Sequence, residues 1–450
     1  MSASIFKAYD IRGLVDIELT PDFTFAVGAA FARFLKAERE PATVVIGEDM
    51  RPSSPALADA FSAGVTSQGF DVIRIGLAST DMLYFAAGKL NLPGAMFTAS
   101  HNPAAYNGIK MCLSGARPIG KESGLLAIEK FVAEGSPIAL NQVGVERQQE
   151  MLSEYVKHLL TLVDVSSIRK LKIVIDAGNG MAGHTAPAVF KDINAEVIEM
   201  YYELDGTFPN HEANPIEPEN LRDLQAAVKK YKADIGLAFD GDADRCFLVD
   251  EKGELVNPSS LTGLIATREL AKNPGSTIIH NLISSKAVRE VVAESGGNSV
   301  RSRVGHSYIK KLMAETGAVF GGEHSGHFYF RDFWRADSGM LAALHAVAAL
   351  GEGEVSLSTL LKPFNRYISS GEINSTVADA AAASKTVEES YTGREGVTID
   401  HLDGLTVEGE SWWFNLRASN TEPLLRLNVE ANTQAEMESI RDSLLAAIRA

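Results

Sequence analysis

One stretch of the sequence decides the fold: Asp234-Ile-Gly-Leu-Ala-Phe239, then Asp240-Gly-Asp242-Ala-Asp244-Arg245, then Cys246-Phe-Leu-Val249. The two outer runs are short and apolar, a pattern typical of buried strands. Between them lies a loop in which carboxylates alternate with small residues. This predicts a sheet that presents an acidic loop at its edge.

The same strand signal, alternating with helix-like runs, extends outward in both directions. Strands are predicted N-terminal to the acidic loop at 43–47, 72–75, 95–98, 171–175 and 196–202, with a helix at Ser53–Gln68. On the C-terminal side of the acidic loop the same alternation continues, with a strand at 277–279, a helix at Ser285–Glu294 and a strand at 318–320. Strands that alternate with helices indicate α/β layers.

The tail of the chain has a different pattern. After Pro363 three strand signals follow closely, at 371–375, 412–416 and 424–428, and a last helix opens on Thr433-Gln-Ala-Glu436, which fits a capping box. We therefore predict three similar α/β domains, at 1–145, 146–252 and 253–366, and a smaller α+β domain at 367–450.

The bulk properties exclude several classes of protein. The 450 residues carry a formal net charge of −16, which argues against nucleic acid as a partner because phosphate backbones are bound by clustered lysine and arginine. Two cysteines, Cys112 and Cys246, are too few for a disulfide framework. Without a signal-peptide pattern or an apolar run of membrane-span length, we expect a cytoplasmic protein that has no membrane partner.

The acidic loop predicts a metal site. Asp240, Asp242 and Asp244 stand at alternate positions of a tight loop, and all-oxygen ligands suit Mg²⁺ or Ca²⁺. A calcium-binding hand is the competing interpretation, since Glu251 falls at the twelfth loop position. Against it, Arg245 stands where the hand needs glycine, and the flanks are strand-like. A plain turn of solvated aspartates is the remaining alternative.

A second motif, Thr98-Ala-Ser100-His-Asn-Pro103, places Ser100 just after a strand. Chemistry tends to lie on such loops, but Ser-His-Asn-Pro is also a common turn composition. The G-x-S-x-G elbow of hydrolases is absent, which argues against acyl transfer. Lys110 and Arg12 stand in neighbouring segments that can present cations to an anion.

Two later motifs resemble ligand contacts. The run Gly321-Gly-Glu323-His324-Ser325-Gly326-His327 can bind sugar hydroxyls closely, because its glycines let the backbone approach. Zinc binding by its two histidines is an alternative whose spacing fits no standard zinc motif. The run Arg417-Ala-Ser419-Asn420-Thr421-Glu-Pro423 collects the donors that a phosphate monoester needs.

Taken together and in this order, the four motifs resemble those of the α-D-phosphohexomutase superfamily, over essentially the whole chain. The resemblance implies mixed sheets, four domains around a central active-site cleft, and an isomerase that is either a monomer or a homodimer. It implies a phosphoserine at Ser100, Mg²⁺ as the cofactor, held by Ser100, Asp240, Asp242 and Asp244, and transfer to a hexose phosphate by way of a hexose 1,6-bisphosphate.

The resemblance also implies roles for further residues. Proton transfer falls to Lys110 or His327, assisted by Arg12. Glu323 and Ser325 bind hydroxyls. The remaining substrate contacts are Tyr9, Arg245, Lys286, His306, Arg417, Ser419, Asn420 and Thr421.

The segments Lys7–Gly13 and Tyr106-Asn-Gly are similar to the phosphomannomutase/phosphoglucomutase branch. This implies mannose 6-phosphate and mannose 1-phosphate as substrates, with the glucose phosphates as further candidates. Phosphoglucosamine mutases typically have aspartate where Tyr106 stands and glutamine where His324 stands. The mannose branch usually has methionine at position 324, so His324 leaves the sugar preference open.

Two rival functions come from other classes. Gly178-Asn-Gly180-Met-Ala-Gly183 follows a strand and fits the G-x-G-x-x-G fingerprint of an NAD-dependent oxidoreductase, although a tight strand-to-helix turn has the same pattern. A sugar-phosphate-binding protein without catalytic activity would keep the ligand loops but would not need Ser100.

Overall fold

The computed structural model describes residues 5–135, 143–418 and 424–449. The chain divides into two compact units, which are described separately. The first contains the residues up to Pro258 together with Ser325–Leu360, and the second contains Ser259–His324 and the residues from Leu361 onward. No described helix is both long and apolar enough to cross a membrane.

The first unit begins with a mixed sheet. Its strands are β1 (Ile11–Leu14), β2 (Thr43–Glu48), β3 (Asp71–Leu77), β4 (Gly94–Phe97), β5 (Tyr106–Leu113), β6 (Arg117–Pro118) and β7 (Glu146–Gln148). The order is β1-β5-β4-β2-β3-β7, with β6 on β5. Strands β2, β3, β4 and β7 run parallel, whereas β5 is antiparallel to β1 and β4.

The α-helices described with this sheet are α1 (Pro21–Ala37), α2 (Ser54–Thr66), α3 (Thr80–Leu90) and α4 (Leu126–Glu134). Helix α3 begins after Ser79, whose hydroxyl accepts a hydrogen bond from the Met82 amide, and ends at Asn91 in the left-handed conformation. The core is apolar, with Phe31, Phe61 and Phe97 among its buried rings.

The expected first domain boundary, at residue 145, falls immediately before β7. That strand pairs with β3 from Glu146 to Gln148 and continues the first sheet. Most of the expected linker, residues 136–142, lies outside the described residues.

A second sheet of the first unit carries the acidic loop. It contains β8 (Leu171–Asp176), β9 (Ala195–Met200), β10 (Ile235–Phe239) and β11 (Cys246–Asp250), in the order β11-β10-β8-β9. Strands β8, β9 and β10 are parallel, and β11 is antiparallel to β10. The helices are α5 (Leu152–Leu162), α6 (Ala182–Phe190) and α7 (Arg222–Tyr231).

The segment that returns to the first unit contains β15 (Phe328–Phe330), β16 (Ala336–Asp337), α11 (Gly339–Gly351) and α12 (Leu357–Leu361), the last ending at the boundary between the units. Helix α11 is buried along its whole length. Its N-cap, Ser338, donates a hydrogen bond of 2.6 Å to the buried carboxylate of Asp81 on α3.

The second unit contains two groups of strands. The first comprises β12 (Thr277–Asn281), β13 (Asn298–Ser302) and β14 (Phe320–Gly322), all parallel, with helices α8 (Pro258–Lys272), α9 (Lys286–Glu294) and α10 (His306–Thr316). The strand expected at 318–320 begins at Phe320 and continues through two glycines. Pairing of Gly321 and Gly322 with β12 causes this shift, because glycine pairs otherwise indicate a turn.

The second group of strands forms an antiparallel sheet in the order β17-β21-β20-β19-β18. The strands are β17 (Ile368–Thr376), β18 (Thr398–Asp400), β19 (Leu405–Glu408), β20 (Trp412–Ala418) and β21 (Leu424–Ala431). Helices α13 (Ala380–Tyr391) and α14 (Gln434–Ile448) complete it. The Thr433 hydroxyl accepts from the Glu436 amide, which is one half of the expected capping box, while the Glu436 carboxylate accepts from Ser411.

Candidate active site

Ser100 lies three residues beyond the end of β4 at Phe97, and it is 2 % exposed. Its backbone has a φ of +50°, in the left-handed region that L-residues other than glycine seldom adopt. The side chain donates a hydrogen bond of 2.8 Å to Asp240 Oδ2 and lies 3.1 Å from His101 Nδ1. A strained backbone of this kind persists only where surrounding contacts hold it, and such positions cluster at active sites.

His101 is held neutral beside the serine. Arg245 Nη2 lies 3.0 Å from His101 Nδ1, and because arginine can only donate, Nδ1 is the acceptor. The charge of Arg245, followed by burial and the charge of Arg12, lowers the pKa of His101 to about 2. The imidazole therefore carries its proton on Nε2 at neutral pH.

The acidic loop joins β10 to β11 and brings its carboxylates together. Asp240, Asp242 and Asp244 are each 1 % exposed or less, and each offers an oxygen within 4.8 Å of the others. Burial, followed by the charges of Asp244 and Asp242, raises the pKa of Asp240 well above its ordinary value. The cluster is thus a concentration of negative charge that requires a cation.

Lys110, on β5, supplies one such cation. Its Nζ lies 2.6 Å from Asp242 Oδ2 and 2.6 Å from Asp244 Oδ2. Burial lowers the pKa of Lys110, but the two carboxylates outweigh burial and raise it well above its ordinary value. Burial alone would raise the pKa of the Asp244 carboxylate. The charges of Lys110, His327 and Arg245 outweigh burial and hold that pKa well below its usual range.

The donor set fits a hard divalent cation. Asp242 Oδ1 is buried and accepts no hydrogen bond, and the same is true of Asp244 Oδ1. Oxygen atoms that are buried without donors in a cluster of three carboxylates are suitable ligands for Mg²⁺ or Ca²⁺.

The calcium-hand interpretation fails. The flanking elements are the paired strands β10 and β11, not helices. The Glu251 carboxylate accepts hydrogen bonds from the amide and the hydroxyl of Ser358, so it is occupied at the start of α12. Among the described residues, the potential metal ligands form two groups, the three aspartates and a set of Asp244, His327 and Asp337. Neither group contains His324, so zinc binding by His324 and His327 together is without support.

Arg12, on β1, reaches the serine loop, which is the segment from Ser100 to Tyr106 at the start of β5. Its Nη1 donates a hydrogen bond of 2.5 Å to Asn102 Oδ1, and its Nη2 donates one of 2.6 Å to Asp10 Oδ2. Tyr9, also expected at the site, is half-buried and precedes Asp10.

His327 and Ser325 lie in the returning segment of the first unit, against the acidic loop. His327 Nε2 is 3.5 Å from Asp244 Oδ1, and His327 also forms an isolated β-bridge with Arg245. Ser325 Oγ is 2.9 Å from His327 Nδ1. The first unit therefore brings Ser100, the three aspartates, Lys110, Arg12, Arg245, His327 and Ser325 into one connected set.

The other expected contacts belong to the second unit. Glu323 is 2 % exposed, and its Oε1 accepts from the Gly305 amide at 3.1 Å. Burial lowers the pKa of the neighbouring His324, and the charge of Glu372 partly offsets this. Arg417 Nη2 is 3.9 Å from the same Glu372 carboxylate.

Lys286 begins α9, where its Nζ donates to the Glu410 carbonyl at 2.9 Å. His306 begins α10. Ser419, Asn420 and Thr421 lie outside the described residues.

The glycine fingerprint is a structural turn. The Gly178 amide donates to Asp176 Oδ1 at 2.9 Å, and the Met181 amide donates to the Gly241 carbonyl at 2.9 Å. A Cβ on Gly180 would lie 2.7 Å from that carbonyl oxygen. Because these amides already have acceptors, they are not available to a dinucleotide pyrophosphate. The turn instead supports the acidic loop.

Sequence reasoning missed two residues that contact the site. The Thr80 hydroxyl donates a hydrogen bond of 2.6 Å to Asp242 Oδ2, and the Thr80 amide donates one to the Asp242 carbonyl. Arg51, completely buried after β2, donates to the Ser100 carbonyl at 2.9 Å. An arginine three residues beyond an apolar strand, in Gly47-Glu-Asp-Met-Arg51, was the available signal.

Comparison with known families agrees with this architecture. Four domain models of phosphoglucomutase/phosphomannomutase match in order: alpha/beta/alpha domain I at residues 3–138, domain II at 153–253, domain III at 257–367 and the C-terminal domain at 372–447.

Individual relatives agree over nearly the full length. A protein of Xanthomonas campestris pv. campestris described as "Phosphohexose mutases" is 41 % identical over 98 % of both chains. A phosphomannomutase of Escherichia coli K12 is 40 % identical over 98 % of this chain and 97 % of its own.

A crystal structure of a phosphoglucomutase/phosphomannomutase family protein from Burkholderia thailandensis superposes with a TM-score of 0.90 at 32 % identity, covering 100 % of this chain and 98 % of that one. The predicted fold class, three α/β domains with mixed sheets and a smaller C-terminal α+β domain, is confirmed, as is the predicted enzyme class. The chain belongs to the phosphoglucomutase/phosphomannomutase family of phosphohexomutases, which are isomerases that transfer a phosphoryl group.

Proposed function

We propose that this phosphohexomutase interconverts mannose 6-phosphate and mannose 1-phosphate, and also accepts the glucose phosphates, through a phosphoserine at Ser100 and a hexose 1,6-bisphosphate. The observation that carries the proposal is the position of the Ser100 hydroxyl, 2.8 Å from Asp240 in the cluster of buried carboxylates. The names of the relatives support mannose and glucose as the sugars.

Ser100, Asp240, Asp242 and Asp244 would hold the cation, which we propose to be Mg²⁺. When bound, such a cation neutralises phosphoryl oxygens and stabilises the charge that develops on them during transfer. Arg245 and Lys110 add two positive groups at the same place. This local charge offsets the acidity of the loop, so a dianionic phosphate is acceptable there despite the net charge of the chain.

In the first half-reaction, the free hydroxyl of a hexose monophosphate attacks the phosphorus of phosphoserine. A bond forms between phosphorus and the sugar oxygen, and the bond between phosphorus and Ser100 Oγ breaks. The hydroxyl proton passes to His327, with Arg12 assisting, and Lys110, which already carries its proton as an ammonium, donates one to Oγ. The bisphosphate then reverses its orientation, and its other phosphoryl group returns to Ser100 by the same steps in the opposite direction.

Binding in two orientations requires contacts that accept either end of the sugar. We propose that Glu323 and Ser325 bind hydroxyls common to both orientations. Arg417 and the loop residues Ser419, Asn420 and Thr421 bind the phosphate that is not reacting. The further substrate contacts are Tyr9, Arg245, Lys286 and His306.

The phosphoserine is tested by peptide mass analysis before and after incubation with glucose 1,6-bisphosphate. We expect phosphate on the peptide that contains Ser100, and loss of mutase turnover by several orders of magnitude in Ser100→Ala. Ser114→Ala is a suitable control, since Ser114 is a half-buried serine of the same domain whose side chain lies outside the connected set of site residues. Wild-type turnover in Ser100→Ala would refute the proposed chemistry.

The sugar preference is tested by assaying mannose, glucose and glucosamine 1-phosphates side by side. We expect the highest kcat/KM for mannose 1-phosphate, activity on glucose 1-phosphate, and the lowest value for glucosamine 1-phosphate. A preference for glucosamine 1-phosphate would replace the mannose proposal and leave the phosphoserine proposal intact.

A further inference from the structure

Arg51 lies in the turn after β2, and its side chain is 0 % exposed. The guanidinium donates four hydrogen bonds to backbone carbonyls. Nη2 reaches Ser100 at 2.9 Å and Asn102 at 2.6 Å, and Nη1 reaches Pro103 at 3.0 Å and Tyr106 at 2.9 Å. One buried cation therefore holds the backbone of the serine loop from its first residue to the start of β5.

Asp49 fixes the guanidinium in turn. Its Oδ2 lies 3.3 Å from Arg51 Nε, while its Oδ1 accepts from the Arg51 amide at 3.0 Å and from Ser54 Oγ at 2.6 Å. The Asp49 amide donates to the Phe97 carbonyl at 2.9 Å, and the Thr98 hydroxyl accepts from the Ser100 amide at 2.9 Å. Asp49 is thus anchored to the end of β4, while Arg51 reaches the carbonyl of Ser100.

The other face of the loop is equally constrained. A Cβ on Gly241 would lie 2.4 Å from the Ser100 carbonyl oxygen, so the acidic loop rests on the same carbonyl that Arg51 binds. The ring of Phe208 lies over the guanidinium with 5.1 Å between its centre and Cζ. Between these contacts Ser100 keeps its left-handed φ and directs Oγ to Asp240.

We propose that Arg51 is a positioning residue for phosphoryl transfer: it holds the four carbonyls of the serine loop so that the group on Ser100 Oγ meets the three carboxylates in the reactive orientation. The inference rests on the proposed phosphoserine chemistry. It predicts an effect on turnover with little effect on substrate binding, because Arg51 lies behind the loop and has no exposed surface to offer a sugar.

The test uses three variants of the full chain. Asp49→Asn/Arg51→Gln removes both buried charges together, so neither is left unpaired. Arg51→Lys keeps the positive charge but replaces the planar guanidinium, with its several N–H donors, by a single ammonium group. Arg74→Gln is the matched control, because Arg74 is a buried arginine of the same domain that pairs with Glu48 and Asp59 instead of the loop.

Folding is checked by circular dichroism. Turnover is measured with saturating glucose 1,6-bisphosphate, and the rate at which the bisphosphate phosphorylates Ser100 is followed by intact mass. In the double variant we expect kcat and the phosphorylation rate to fall about 100-fold, the usual effect of displacing a reactive group by about 1 Å, with KM within about threefold of wild type. In Arg51→Lys, kcat should be about tenfold higher than in the double variant. In Arg74→Gln, kcat should lie within about threefold of wild type.

A folded double variant with kcat within about threefold of wild type overturns the proposal, and so does an equal loss in Arg74→Gln. If the double variant does not fold, Arg51→Lys decides by the same criterion. If neither variant folds, Arg51 serves stability and the positioning role is rejected. Full activity of Ser100→Ala would instead remove the proposed function, a result that the Arg51 variants cannot produce.

Discussion

Replacement of Lys110 by methionine tests whether the buried carboxylates are as charged as the geometry requires. The change removes an ammonium that lies 2.6 Å from both Asp242 and Asp244, whose side chains are 0 % and 2 % exposed. Breaking a buried pair by removing one partner costs about 3–5 kcal/mol of unfolding free energy. At about 2.1 cal/mol/K of unfolding entropy per residue, a unit of about 300 residues loses about 1.6 °C per kcal/mol, so the metal-free variant should melt about 5–8 °C below wild type.

The assay is a thermal melt followed by circular dichroism, in a chelator and again in saturating Mg²⁺. A cation that binds only the folded protein at about 100 times its Kd adds about 2.7 kcal/mol. The variant should gain more from Mg²⁺ than wild type does, because its carboxylates no longer have the lysine as a competitor.

The control is Lys172→Met, which removes a partly exposed pair with Glu196 at 3.4 Å. Exposed pairs of this kind contribute about 0–1 kcal/mol, so this variant should melt close to wild type in both conditions. Two results would refute the claim that Lys110 neutralises the buried carboxylates. One is a melting temperature of Lys110→Met within about 2 °C of the Lys172→Met control in the chelator, and the other is a smaller rise in melting temperature with Mg²⁺ than wild type shows.

Three further changes probe neighbouring features. Thr80→Val removes the hydroxyl bonded to Asp242 and should weaken Mg²⁺ affinity about 10–100-fold by titration calorimetry, whereas Thr24→Val, at an equally buried hydroxyl in α1, should not change it. Gly241→Ala introduces a Cβ 2.4 Å from a serine-loop carbonyl and should lower kcat about 100-fold; unchanged kcat in a folded variant would contradict the close approach. Burial raises the pKa of Asp81 from 3.8 to about 6, so its protonated form favours folding by about 3 kcal/mol. That contribution is complete below pH 3.8 and is lost as the pH rises through about 6, and urea unfolding of Asp81→Asn should lack this part of the wild-type pH dependence.

The sequence predicted those features that are local along the chain. Strands β10 and β11 enclose the acidic loop as expected, because two apolar runs six residues apart can pair only around it. The cap of α14 at Thr433 was likewise predicted, since a cap acts within three residues of itself.

What could not be predicted depends on contacts between residues far apart in sequence. Thr80 and Asp242 are 162 positions apart, and nothing in the periodicity of either segment indicates that they meet. Arg51 reaches a loop about 50 residues later through its side chain, and a single buried arginine has no repeat or spacing that reveals its partner. The glycine fingerprint was ambiguous for a related reason: the acceptor of the Met181 amide, the Gly241 carbonyl, lies in the acidic loop about 60 residues later.

The return of residues 325–360 to the first unit has a consequence for how the protein is made. Helix α11 is buried on all sides, and its cap Ser338 bonds to Asp81, 257 positions earlier. A chain emerging from the ribosome therefore cannot complete the first unit when residue 258 appears; it must wait until the whole intervening segment has been synthesised. At about 5–20 residues per second this interval lasts some 5–20 s, during which the apolar surface that α11 covers is open to chaperones and to aggregation.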